Sequence, residues 1–157
     1  MDWNILVGIG TILLALVAGY QAWLLRNSAM ADVILKLDQR FNEALLSKRK
    51  KAALSLKNGP QDHDADIEDV LDFFETLGLL IRRHALDRKV VWHTFFYWIH
   101  GYYRFAREFI AKQQSESPNR YTEFKYLHER ARQIETRRHG PLNENEWDDF
   151  LELEAAE

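Results

Sequence analysis

The 157-residue chain has no cysteine, only three prolines and only seven glycines. Without cysteine there is no disulfide to staple a fold. That suits a reducing cytoplasmic setting for the body of the chain, although exported domains without cysteine also exist. The few glycines form no phosphate-cradling loop, and no Ser-His-Asp signature can be assigned. No run alternates apolar and polar residues well enough to read as a strand, and there are neither repeats nor low-complexity segments. The net charge of −3 singles out no partner.

The most informative absence is of charge between Trp3 and Leu25, a stretch bounded by Asp2 and Arg26. As a helix it covers roughly 33 Å, about the thickness of a hydrocarbon core. A cleaved signal would start basic and have a shorter apolar region, and this chain starts Met-Asp; only Ala29-Met30-Ala31 imitates a cleavage site. A buried helix of a soluble protein would show a polar stripe, whereas here only Asn4, Thr11 and Gln21 interrupt. The reading is a retained single span over residues 1–26. Arg26, Lys36, Arg40 and the cluster Lys48-Arg49-Lys50-Lys51 follow it, which places the C-terminal body in the cytoplasm and the N-terminus outside the inner membrane. Gly8, Thr11, Ala15, Ala18, Gly19 and Ala22 recur at three- and four-residue steps, a small-residue face of the kind that packs membrane helices together. The lipid bilayer and further copies of the chain are therefore the expected partners, with a cytosolic protein as a third.

The remaining ~130 residues suit one domain, and they read as all-α: a cytosolic bundle of four or five helices. A connecting helix over 27–58 continues or follows the span and ends at Gly59-Pro60. The bundle core takes in 59–142. Its first helix is capped by Asp64 or Asp66 and carries Val70, Phe73, Phe74, Leu77, Leu80 and Ile81. A second runs from about Arg88 to Lys112 and a third from Asn119 to about Arg138, stopped by His139-Gly140-Pro141. An acidic terminal helix over 143–157 opens with Asn143 and Glu146 as a capping box.

Eight aromatic residues fall between Trp92 and Phe105, spread around the helix. Such a helix must be covered on several sides, either as the centre of the bundle or against another subunit. On the second reading Trp92, Phe96, Trp98, Tyr102 and Tyr103 would form the interface. Charge is also segregated: Arg120 to His139 carries six arginines and lysines, while Asn143 to Glu157 carries seven acids and no base. The preferred reading is that tail and basic helix neutralise each other within the chain. Nucleic acid is not an expected partner, because the glycine and aromatic signatures of RNA motifs are absent.

Little points to catalysis. His93 and His100 are seven apart, too wide for two ligands of one metal on a helix. Asp62-His63-Asp64-Ala65-Asp66 is better used as a helix start. No metal and no cofactor is expected. Arg88 with His93, and Arg132 with His139, have the Arg-x4–6-His spacing of helical nucleases of the higher-eukaryote and prokaryote nucleotide-binding class. With thirteen arginines and six histidines, about one and a half such pairs arise by chance. The alternative of a membrane-tethered ribonuclease using Arg88 and His93 rests on this spacing alone, with the pair serving acid–base and charge-stabilising roles.

From Phe73 to Arg130 the chain resembles a bacterial membrane-associated family known as domain of unknown function 4760. The resemblance rests on FFETLGLLIRRHALDRKVVWHTFFYWIHGYYRFAREFI and, further on, YTEFKYLHERA. Glu75, Gly78, Leu86-Asp87, Trp98, Arg107 and Phe124-x-x-Leu127 are the matching positions. It implies a helical cytosolic domain on a membrane anchor and brings no activity. The architecture is also similar to that of single-span accessory membrane proteins of RNA-targeting CRISPR systems, which would make the chain a phage-defence effector or its accessory. The expected role is non-enzymatic, assembly or membrane perturbation (a pore) in a defence or stress response, and a passive membrane anchor for a partner complex is the further alternative.

Overall fold

The computed structural model describes residues 3–60 and 63–156, with the backbone alone for residues 3–7, 9 and 10. Among the described residues the regular elements are all helical, with no strand: α1 (Trp3–Gln39), a π-helical turn (Arg40–Ala44), α2 (Leu46–Asn58), α3 (Ala65–Arg82), α4 (Arg88–Phe105), α5 (Arg107–Glu116), α6 (Thr122–His139), a 3-10 turn (Glu144–Trp147) and α7 (Phe150–Ala156). The chain forms two compact units, Met1–Lys36 and Leu37–Glu157.

The described residues of the first unit lie within α1. Asn27-Ser28 does not interrupt this helix. From Thr11 to Ala29 each residue is exposed, including Leu14 at 73% and Leu25 at 72%. Among the described residues no helix is long and apolar enough to cross a membrane. The span expected over Trp3–Leu25 is therefore not carried by the described part of α1. Much of its first third, residues 3–7, 9 and 10, falls outside the residues whose side chains are described. The fifteen residues from Thr11 to Leu25 would reach only ~22 Å, short of a hydrocarbon core.

In the second unit the helix ends follow local chemistry. Gly59 takes a φ of 92° at the close of α2 and Gly140 a φ of 91° at the close of α6, a region that costs a β-carbon free energy. The Asp64 carboxylate accepts the backbone N–H groups of Asp66 and Ile67 at 3.1 Å each, and Asp87 accepts those of Lys89 (2.7 Å) and Val90 (3.3 Å). The acidic run at 62–66 thus uses its Asp64 for capping. α6 is capped from a distance: Glu75 on α3 accepts the N–H of Phe124 at 2.6 Å. Desolvation raises the Glu75 pKa while these backbone donors pull it back.

α3 turns Ile67, Val70, Leu71, Phe74, Leu77 and Ile81 inward at helical spacing. α6 packs along α3 and α4, and α2 packs against α3 and α7. The π-helical turn sets Phe41, fully buried, among Phe73 (4.9 Å between ring centroids), Trp98 (5.2 Å), Phe74 (5.5 Å) and Phe95 (5.8 Å). α4 lies at the centre of this aromatic core. The expected helix to Lys112 is two helices, broken at Ala106, and the expected terminal helix is a 3-10 turn followed by α7, so the helices outnumber the four or five read from the pattern.

Candidate functional site

α4 and α6 between them position the chemistry-bearing side chains of the second unit. His100 and His128 meet across this contact, Nδ1 to Nε2 at 3.1 Å, both buried. Tyr103 stacks on His128 at 4.0 Å between centroids, and Trp147 stands edge-on to His100 at 4.5 Å. Burial depresses both imidazoles; positive neighbours Arg132 and Arg107 help take His128 down to about 3. Both rings are neutral at physiological pH, so one donates and the other accepts. His100 Nε2 is buried without a hydrogen-bond partner and lies 3.8 Å from Glu144.

The pair opens on a hollow of about 260 Å³ that Arg107 and Arg132 also line. Arg104, at the same hollow, is committed: it reaches Glu144 (3.3 Å, and the backbone carbonyl) and Asp148 (2.8 Å). Two further hollows lie around the exposed side of α6. A second of about 430 Å³ shares Glu129 and Arg132 with the first, and a third of about 210 Å³ shares Gln133 and Arg137 with the second. Arg88 and Lys89, from the start of α4, together with Arg130 and Arg138 complete the third.

Among the described residues no acid of the tail pairs with a base of α6, contrary to the sequence expectation. Glu154 is buried against Arg49 on α2 (2.8 and 3.0 Å) and also accepts from Trp98 Nε1 (2.8 Å) and Tyr102 (2.9 Å). Glu152 pairs with Lys57 (2.7 Å), and Glu144 and Asp148 take Arg104. The pattern of seven acids after six bases is visible in sequence; which bases they reach is settled by α7 packing on α2.

Arg88 and His93 are both exposed, and only Arg88 lines a basic hollow. Five residues apart on one helix, they point about 140° from each other, so the spacing does not assemble a site. His139 binds Glu135 at 2.7 Å. Of the candidate interface residues, Tyr102 is fully buried and Trp92 nearly so, held by Glu135 (2.8 Å). Phe96, Trp98 and Tyr103 are half-buried, against Trp147, Glu154 and His128 respectively. All five are engaged within the unit. Gly8, Thr11, Ala15, Ala18, Gly19 and Ala22 all lie exposed on α1.

The His100–His128 pair was not legible in sequence, since its members are 28 positions apart on different helices with α5 between them. The residues that carry the family resemblance mostly hold the fold. Glu75 caps α6, and Asp87 caps α4. A β-carbon on Gly78 would sit 2.1 Å from the Glu123 carbonyl oxygen, and Phe124 stacks on Phe74 at 5.0 Å. Arg107 differs: it is exposed at the histidine hollow. DUF4760, a domain of unknown function, matches residues 11–131. No curated protein and no solved structure matches the chain.

Proposed function

The chain belongs to the DUF4760 family, and from that premise we propose that it is a membrane-anchored, self-assembling helical effector in bacterial defence or stress response. Trp3–Leu25 is the anchor, the second unit is cytoplasmic, and assembly gathers the anchors to perturb the bilayer. The observation that carries this reading is the surface of α1. Ile12, Leu13, Leu14, Leu16, Val17, Tyr20, Trp23, Leu24 and Leu25 are each 44% exposed or more, on all sides of the helix. An apolar circumference of this extent needs an apolar surrounding, which lipid and sister helices supply together. The residues before Thr11 complete the length that a span requires.

Assembly through the small-residue face is independent of the chain's own fold. A β-carbon at Gly8 or Gly19 meets nothing within 4 Å. Replacing Ala15 and Gly19 with Leu is expected to leave helix content unchanged and to break the association of anchors. The first test is partition of the full chain after expression in bacteria. Retention in the membrane pellet through an alkaline carbonate wash supports the reading, and release into the wash overturns it.

A further inference from the structure

α4, α5 and α6 meet along a seam that is open at the histidine pair. On α6, Lys125, His128, Glu129 and Arg132 fall within about 100° of the helix circumference, and His128 holds that face against Tyr103 and His100 on α4. The hollow of about 260 Å³ lies there, lined by Arg107 from α5 and Arg132 from α6. Both guanidinium groups stand near enough to His128 to help depress its pKa. Among the described residues neither has an ion-pair partner, whereas Arg104 is taken up by Glu144 and Asp148. Glu129 is the one carboxylate at the hollow outside an ion pair among these residues, so the unpaired charge there is positive.

His100 adds a third donor. Its ring is neutral and 4% exposed, and its Nε2 has no hydrogen-bond partner. The Glu144 carboxylate, 3.8 Å away, is out of hydrogen-bond reach but favours a proton on that nitrogen. Nδ1 then accepts from His128 Nε2–H. A buried N–H is thus left unbonded beside a half-exposed carboxylate that can swing aside.

An imidazole N–H and two guanidinium groups, delivered from three helices, suit an anion with three free oxygens, a terminal phosphate. A carboxylate or an internal phosphodiester offers only two. The hollow shares Tyr103, Arg104 and Arg107 with a larger one of about 720 Å³, which Phe105, Ile110 and Ala111 also line. That space has room for the body that carries the phosphate.

We propose that the seam binds a phosphomonoester. Its phosphate sits between Arg107, Arg132 and His100 Nε2, displacing the Glu144 carboxylate, and its apolar body lies in the larger hollow beside Phe105 and Ile110. The site is built from the second unit alone and does not depend on the anchor. A small soluble molecule and a phosphatidic acid headgroup present the same group.

The test is isothermal titration calorimetry of the full chain in an uncharged maltoside detergent at about pH 7.5, where a phosphomonoester is a dianion. The probes are phenyl phosphate, short-chain phosphatidic acid and benzoate. At least one of the two phosphates should bind, and Arg107→Gln and Arg132→Gln, both at exposed positions, should each weaken it about tenfold or more. Arg137→Gln removes an equal charge from α6 about 140° away from Arg132 and should not. Glu144→Gln withdraws the competing carboxylate and should tighten binding about threefold. Phosphatidic acid preferred tenfold or more assigns the site to a headgroup; equal or weaker binding of the lipid assigns it to a soluble ligand. The proposal is overturned if neither phosphate binds at about 1 mM, or if benzoate binds as tightly as phenyl phosphate. It is equally overturned if Arg137→Gln weakens binding as much as Arg132→Gln, or if Glu144→Gln fails to tighten it. Binding is read in detergent, so its failure is distinct from release of the anchor from membranes.

Discussion

At the scale of single residues, two buried polar groups decide how this protein responds to its surroundings. His128 is held far below its unfolded value by burial, by His100 and by the arginines around it. An imidazole whose folded pKa is depressed binds protons more readily when unfolded. Its stabilising share is therefore full above about pH 6.5 and is lost as pH falls toward about 3. By pH 5 the loss is about 2 kcal/mol. Urea unfolding at pH 7 and pH 5 should show this drop in the wild type and a smaller one in His128→Gln. Asp72 and Glu75, whose pKa values are raised by burial, act in the opposite direction in both proteins. An identical acid loss in the variant would refute the assignment. Glu154 is the second group. Removing it leaves Arg49 buried, together with the Trp98 and Tyr102 donors. Glu154→Ala should cost ~3–5 kcal/mol in urea unfolding, and Arg49→Met with Glu154→Leu should recover part of it.

At the scale of elements, what the sequence made legible was local. Gly59-Pro60, Asp64 and Gly140 marked helix ends within a few residues, because a positive φ or a side chain accepting two backbone N–H groups is written in the residue itself. The break at Ala106 and the π-helical turn at Arg40–Ala44 carry no such marker. Pairings across the fold were equally hidden: Arg49 and Glu154 are 105 positions apart, and nothing in either neighbourhood names the other. The docking of α7 is a case in point. Gly101 on α4 admits the Phe150 ring so closely that a β-carbon there would lie 2.2 Å from it. Phe150 is buried against Tyr97, Tyr102 and Phe105. Gly101→Ala is expected to cost ~1–3 kcal/mol through overpacking and to loosen α7, with the tail becoming the first site cut in limited proteolysis. Unchanged stability with a protected tail would contradict this packing.

At the scale of the whole molecule, the two units divide the labour. The folded unit, Leu37–Glu157, keeps most of its aromatic residues inside and directs its acidic tail to α2 and the end of α4. The helix of the first unit leaves its apolar residues outside, where bilayer and sister helices would cover them. Association in the plane of a membrane is the step on which the proposed effector role depends. The small residues Thr11, Ala15 and Gly19, one turn apart along α1, are the surface proposed to carry it. The most direct measurement is the mass of the full-length protein in detergent by light scattering, with the detergent contribution subtracted, for the wild type and for the Ala15→Leu, Gly19→Leu double variant. The wild type is expected to form a defined oligomer of several copies and the variant to dissociate. A monomeric wild type, or an oligomer that the variant leaves intact, would contradict it.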